Sequence, residues 1–438
     1  MEGKTTLIFG VSTAYHLAQR SPDPSNITLL DRATPPSNNR LGASADINKI
    51  IRADYSSPLY MELGFEAIEA WKTLPFLRDA GVYHQSGWIA MDEKGSDVPT
   101  RIRENFRNGG YDGVIVDMEE EEVRRAWGGV LKRTDCERFG SYYFNQSAGW
   151  VEAGRALGIM LQEAIRLGVR YENGEAKRVV FSSDRNWVQG VETEDGTVFW
   201  ADMVLLATGA WTSKLMSPLE DELHIPDAQR VERQVSAAGV CVAHFQLSEE
   251  EKEVYSKLPV LAYGGQGEII PPTSNGILKF TSTTSFRNTI QTASGQAISV
   301  PIEDQHNAPR GLQEDLIAAV RARLPQLLDG ERKPDYYRLC WDSISDSQHP
   351  LIDRHADSRL GNLYFAVGGS FHFYKFLPTI GKYVANVLES VENDSGRDSA
   401  WSWKSTGVSA KGVHESLVPK REFKDFIQFH SSVSSQGK

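Results

Sequence analysis

The run ITLLD at residues 27–31 is short, apolar and closed by an acid, and it follows a stretch with helical periodicity, VSTAYHLAQR (11–20). The two prolines of SPDPSN (21–26) separate the two elements. Ahead of the helix stands LIFG (7–10), which reads as the stub of a first strand. Strand, helix and strand in that order make a βαβ unit, which commits its part of the chain to a parallel sheet with helices packed on it. The expected fold class is therefore α/β, built on a Rossmann-like domain. In dinucleotide-binding units the turn after the first strand reads G-x-G-x-x-G, so that backbone amides reach the pyrophosphate at the helix N-terminus. Here only Gly10 stands between Ile8 and the helix. Asp31, 21 residues beyond Gly10, occupies the place of the acid that binds the adenosine ribose; it can equally cap the turn at DRATPPSNN (31–39).

A second segment points the same way. WVQGVETEDGTVFWADMVLLATGAW (187–211) reads as a β-hairpin around a D-G turn, then a strand, MVLLATGAW, that closes in Gly209. Small residues at the end of an apolar strand let backbone approach a ligand, as a late strand of a flavin-binding domain requires. An ordinary glycine turn is the alternative.

Composition sets the outer bounds. A chain of 438 residues is long enough for two cores. A formal charge of −11 argues against nucleic acid as a partner. The three cysteines, Cys136, Cys241 and Cys340, offer no disulfide framework and no C-x-x-C metal pattern, so no metal is expected and a reducing compartment is the default. No apolar run reaches the roughly 18 residues of a membrane span, and Met1–Gly10 is too short and polar for a secretory signal. The expectation is a soluble protein without a membrane partner.

Three blocks carry a more specific pattern: GASADINKIIRADY (42–55), RLCWDSISDSQHPLIDRH (338–355) and NLYFAVGGSFHFYKFLPTIGKYVANVLE (362–389). A cysteine segment, a strand reaching G-G-S, and x-K-F-x-P-x-I-G-K opening a helix form a long ordered tandem. Together they resemble the FAD-dependent amine oxidases of the monomeric sarcosine oxidase type, which include pipecolate, saccharopine and fructosyl amino acid oxidases. The resemblance runs from about residue 5 to 390.

That resemblance implies an FAD cofactor held covalently through Cys340; a small buried hydrophobe is the plain reading of the same thiol. It places Asn48 and Lys49 beside the flavin ring. Arg52 and Lys375 match a pair of cations that grip a substrate carboxylate, and Lys279 matches the lysine that activates oxygen. Physically, a fixed positive charge stabilises superoxide as it forms, and two cations on one carboxylate make charge-assisted hydrogen bonds. Solvated surface charges are the plain alternative for Arg52, Lys375 and Lys279. The implied catalytic set is Lys279, Lys49, Arg52 and Lys375. The cofactor set is Gly10, Val11, Ser12, Asp31, Arg32, Ser44, Asn48, Lys49, Gly209, Ala210, Cys340, Gly369, Phe371 and Lys375. His16, His84 and His349 are given no catalytic work, and His372 is expected to order its loop.

The implied reaction is oxidation of the C–N bond of a secondary amine to an imine, with O2 as acceptor and H2O2 as by-product. Retention of Arg52 leans toward an N-substituted or N-methyl amino acid, such as sarcosine, pipecolate or saccharopine. Tailoring of an N-methyl amino acid or peptide-derived intermediate in fungal specialised metabolism, a fructosyl amino acid oxidase, and a flavin-deficient remnant are the alternatives. Relative to the family, roughly five residues, including two glycines, are absent after Ile8. A misplaced exon boundary and a genuine loss both explain the gap; the joint presence of Cys340, Lys279, Arg52 and Lys375 favours the first.

The expected architecture is a discontinuous FAD domain of 1–84, 145–215 and 335–392. A substrate domain of 85–144 and 216–334, on a mixed or antiparallel sheet, interrupts it. Residues 393–438 are read as a loosely packed polar tail. The expected enzyme is a monomer in the cytoplasm or peroxisomes, although the chain ends in QGK and not S-K-L.

Overall fold

The computed structural model describes residues 3–4, 8–33, 41–184, 186–405 and 419–427, with side chains from Gly10 onward. Gly3–Lys4 and Arg170–Asn173 both pair in parallel with Ile27–Asp31, which lies between them. The helix Ile8–Arg20 connects the first two strands in sequence, so the βαβ unit is present. Its boundary differs from the sequence reading: Ile8, Phe9 and Gly10 are helical and are not the end of a strand LIFG. A short apolar run is compatible with a strand and with the start of a buried helix, and periodicity alone does not separate them. The shortened turn itself (5–7) and most of the turn after Asp31 (34–40) lie outside the described residues.

The first helix buries Val11, Ser12 and Tyr15 and packs against the helix Ile380–Leu388. They meet at Gly381, where an added Cβ would lie 2.1 Å from the carbonyl carbon and oxygen of Ser12. The Gly381 amide donates to Ser12 Oγ at 2.9 Å. Gly381→Ala should therefore destabilise the protein, toward the upper end of the roughly 1–3 kcal/mol that overpacking costs, and thermal unfolding measures it.

The hairpin Trp187–Thr193 and Val198–Trp200 forms as its pattern indicates, with Gly196 at φ +84° in the turn. The strand that follows is short, Val204–Leu206, and pairs in parallel with Leu363–Val367. Gly209 then opens a single helical turn, Gly209–Trp211, at φ +51°, a conformation glycine adopts without strain.

The largest sheet has nine strands. Its path runs Tyr336–Ile344, Ser236–Gln246, Ile277–Arg287, Glu268–Ile270, Val260–Ala262, Trp88–Glu93, Phe139–Asn145 and Ile115–Asp117. The ninth strand, Arg421–Glu422, pairs with Ile277–Arg287. It comes from the stretch read as a loose tail, and that reading is corrected. Phe426 is 1 % exposed in the core behind the sheet, Phe423 lies beside it, and Trp401, on the helix Ser395–Trp401, is also 1 % exposed. Three large rings in a polar segment bury enough area to anchor it, and composition averaged over the segment hides them. The terminal HSSVSSQGK (430–438) lies outside the described residues. Among the described residues no helix is long and apolar enough to cross a membrane.

Candidate active site

Alternation along the large sheet decides which residues meet. Residues directly opposite one another on paired strands share a face, and successive residues point to opposite faces. The pairs Val240–Cys340, Val242–Thr281 and Ile270–Lys279 put Cys340 and Lys279 on one face. From the strand of Ile270, the row Glu268–Ala262–Ala90–Tyr143 continues that face across three more strands. The other face, with Leu339, Cys241, Phe280, Leu261 and Ile89, packs into a single apolar core. The near face lines a cavity of about 580 Å³.

Lys49, Arg52, Lys279, Cys340, Gly369, Phe371 and Lys375 all line this cavity. They come from the three sequence blocks and, for Lys279, from the strand Ile277–Arg287. Arg52, Lys279 and Lys375 are buried, so the surface-charge alternative does not hold for them. The other named residues stand elsewhere. Asp31 Oδ1 accepts the Ala33 amide at 3.0 Å, the capping bond of its plainer reading. Arg32 pairs with Glu175 at 3.2 Å and lies 4.7 Å over the Trp211 ring, which brings the Asp31–Arg32 turn against the Gly209–Ala210 segment. Gly10, Val11 and Ser12 sit in the first turn of the helix Ile8–Arg20.

Asp46 organises the cationic end of the cavity. Its Oδ2 accepts from Lys49 Nζ at 2.8 Å and from Lys279 Nζ at 2.9 Å, and Arg338 stands 4.0 Å from Oδ1. Lys279 Nζ also donates to the Asn48 carbonyl at 2.7 Å. These three cations hold the buried Asp46 carboxyl well below its ordinary range, against the opposing effect of burial. Burial lowers the pKa of Lys279 although Asp46 opposes it. Lys49 goes the other way: burial would lower it, but Asp46 and the nearby Cys340 sulfur raise it. Cys340 thus stands close to Lys49 and Lys279.

The second pair of cations shares an aromatic support. Arg52 Cζ lies 4.8 Å and Lys375 Nζ 5.2 Å from the centre of the Tyr55 ring, and Arg52 also lies 5.0 Å over Trp88. Arg52 donates to the Asp54 carbonyl. Lys375 Nζ donates to Tyr55 Oη at 2.8 Å and to the His372 carbonyl. Burial and then the Arg52 charge push Lys375 well below its ordinary pKa. His372 Nε2 lies 3.0 Å from the Gln348 carbonyl and so carries the proton, leaving Nδ1 to accept from Tyr55 Oη at 3.1 Å. Two buried cations held this close to one ring make a place for an anion.

The loop after Leu363–Val367 is strained and pinned. Ser370 and Phe371 have φ of +47° and +62°, unfavourable for residues with a side chain. Asp342 Oδ2 accepts the Phe371 amide at 2.8 Å, and Ser343 Oγ accepts the Gly368 amide at 2.7 Å. The strand bearing Cys340 thus fixes the loop whose Phe371 packs against Val240, Val242 and Cys340.

Asp46, Asp342 and Tyr55 are the residues that sequence reasoning passed over. Each lies inside a quoted block. Asp342 follows Cys340 by two positions and so shares its face. Asp46 precedes Lys49 by three, a spacing that within an irregular segment carries no message by itself.

An FAD group fits the donors present at the flavin end. Ser44 Oγ and Asn48 Oδ1 are buried atoms without hydrogen-bond partners, and a bound polar group supplies what such atoms lack. The cavity wall beside them is apolar: Val240, Val242 and Cys340, with Ala43 and Phe371 packed against them. At the other end, the amides of Ile8 to Val11 begin a helix and have no intrahelical acceptor, the usual setting for phosphate.

Comparison with known proteins agrees. Residues 8–387 match the family of FAD dependent oxidoreductases. The chain belongs to that family, and within it stands with the amine and amino acid oxidases. It is 28 % identical over 424 residues to the L-saccharopine oxidase of Schizosaccharomyces pombe, covering 91 % of each chain. It is 25 % identical to the amino acid oxidase fsqB of Aspergillus fumigatus, covering 89 % of this chain and 92 % of that one. The crystal structure of the fructosamine oxidase Amadoriase II from Aspergillus fumigatus superposes with a TM-score of 0.81 at 25 % identity, over 97 % of this chain and 95 % of that chain.

Proposed function

We propose that this protein oxidises the C–N bond of a secondary amine within an amino acid to an imine, passing the electrons to O2. The amine loses two electrons and two protons, O2 gains both and leaves as H2O2, and water then hydrolyses the imine. FAD, when bound, supplies the electron transfer. The chain supplies position and charge. Arg52 and Lys375 hold the substrate carboxylate, Tyr55 supports both cations, and Lys279 presents its charge to oxygen. Asn48 and Lys49 would stand beside a bound flavin ring and Cys340 would tether it, with Asp342 holding the Phe371 amide in the adjoining loop. At the adenosine end, Ser12, Asp31, Arg32, Gly209 and Ala210 are the proposed contacts.

The observation that carries this reading is the single cavity joining Cys340 and Lys279 to Arg52 and Lys375. The pKa of Lys375 adds to it, because a carboxylate beside Arg52 would restore the charge that the empty arrangement disfavours. Three free cysteines support a reducing compartment, cytoplasmic or peroxisomal. The competing reading, a flavin-deficient remnant, rests on the short connection between Gly3–Lys4 and Ile8.

A peroxide-release screen tests the proposal, with each secondary amino acid set against its decarboxylated partner. Sarcosine, pipecolate, saccharopine and N-methyl aromatic amino acids are the first acids to try. Arg52→Ala and Lys375→Met should each weaken the acids by about 1.5–3 kcal/mol, ten- to a hundredfold, and affect the decarboxylated amines little. Equal activity with the decarboxylated amines would defeat the carboxylate clamp. Absence of flavin absorbance, both in the protein as given and in one with a restored glycine loop, would defeat the oxidase reading.

A further inference from the structure

The cavity has a second end, away from Cys340, whose charge is opposite to that of the lysine cluster. Asp54, Asp92 and Glu268 line it, with Trp88 and Tyr143 as apolar walls. Asp92 lies two residues beyond Ala90 on the same strand, so it shares the face that carries Glu268, Ala262 and Tyr143. Five strand-to-strand steps separate the Cys340 strand from the Asp92 strand, about 24 Å along a flat sheet at the usual spacing. The two ends are thus distinct places on one wall.

Two of these carboxylates have unused acceptor atoms. Asp54 is 2 % exposed and burial raises its pKa; its Oδ2 accepts from Asn145 Nδ2 at 2.8 Å and the Tyr143 hydroxyl lies close to the carboxyl, while among the described residues Oδ1 is buried with no hydrogen-bond partner. Asp92 Oδ2 is likewise buried and without a partner. Burial raises the pKa of Asp92 to about 6, so it remains mostly ionised at neutral pH. The other acids nearby are already matched: Asp97 pairs with Arg101 at 3.1 Å, and Glu93 pairs with Arg138 at 3.5 Å. Arg52 and Lys375 face Asp54 and Glu268, and Arg103, itself paired with Asp117, acts on Asp92; a bound substrate carboxylate would offset one of these positive charges. With that carboxylate bound, the acids outnumber the cations that face them, two of them with open acceptors, and a desolvated acid of this kind is stabilised by a hydrogen-bonded cation.

We propose that Asp54, Asp92 and Glu268 form a subsite for a second, positively charged group of the substrate, so that the preferred substrate is a secondary amino acid whose side chain ends in an ammonium. This rests on the amine oxidase reading above and narrows it. It selects against an amino acid with a second carboxylate at the same distance, because that group would meet three like charges.

Binding and turnover test the two readings separately. Calorimetry near neutral pH would compare Nα-methyl-lysine, Nα-methyl-norleucine and Nα-methyl-2-aminoadipate, which share a carboxylate and differ at the far end of the side chain. The lysine compound should bind the purified protein at least about tenfold more tightly than the norleucine compound, as expected for a charge-assisted hydrogen bond, with the aminoadipate compound weakest. Asp92→Asn and Glu268→Gln should bring the lysine-to-norleucine ratio toward one. That ratio is the readout because a poorly folded variant loses all three ligands together. Equal affinities, a preference for aminoadipate, or no binding of any of the three would overturn the subsite. Peroxide release from the same compounds reports on the oxidase reading independently: selective binding without peroxide keeps the subsite and defeats the oxidase, and peroxide from all three with equal kcat/KM does the reverse.

Discussion

Lys279→Met is expected to slow electron transfer to O2 by about two to three orders of magnitude, the usual effect of removing one preorganised charge-stabilising donor, while leaving oxidation of the amine nearly unchanged. The geometry explains the selectivity. Lys279 is fully buried, donates to Asp46 and to the Asn48 carbonyl, and faces the cavity from the strand Ile277–Arg287. It is not part of the pair Arg52 and Lys375, the proposed carboxylate clamp. Removing one partner of a buried ion pair normally costs about 3–5 kcal/mol of stability. Here the remaining carboxylate keeps Lys49 at 2.8 Å, so the loss should be smaller and the variant should fold. Stopped-flow measurement of the two half-reactions separates the effects. Equal slowing of both would mean that Lys279 acts on the substrate.

Cys340→Ser gives the other large effect, and it is all or none. In the wild-type protein the flavin should remain with the polypeptide through acid precipitation and denaturing electrophoresis; in the variant it should be found in the supernatant. The thiol faces the cavity at 3 % exposure, flanked by Val240 and Val242, with Lys49 and Lys279 near enough for a charge on sulfur to act on both. Cys241, one strand away, cannot substitute for it. That thiol points into the opposite core, and burial pushes its pKa up to about 12. Free flavin in the wild-type supernatant would refute the covalent bond and leave a tightly held cofactor.

Much of this arrangement was legible in the chain. The strand Ile27–Asp31, the hairpin around Gly196 and the helix after Thr379 follow from local pattern, and the flavin-end residues from ordered blocks. What escaped was set by distant pairing. Trp88 reaches the cavity because its strand pairs with Val260–Ala262, 172 positions later, and the partners of Glu268 and Asp92 are fixed by the same registers. No local periodicity reports such a neighbour. The start of the first helix escaped for the opposite reason: too few residues separate Gly3–Lys4 from Ile8 to show a period. Asp46 escaped because a buried acid between two lysines looks, in sequence, like any charged loop residue.

The parity of the large sheet constrains how such a protein can change over generations. A one-residue insertion within the strand Tyr336–Ile344 would turn the Cys340 thiol into the core and Trp341 into the cavity, and the same holds for Lys279 and Phe280. A single extra residue is absorbed in this sheet only where a bulge takes it up, as between Asp92 and Glu93. Point substitutions on the near face carry no such penalty. Trp88, Ala90, Asp92 and Tyr143 stand on strands other than those of Cys340 and Lys279, so a substitution at the proposed subsite leaves the register of Cys340 and Lys279 unchanged.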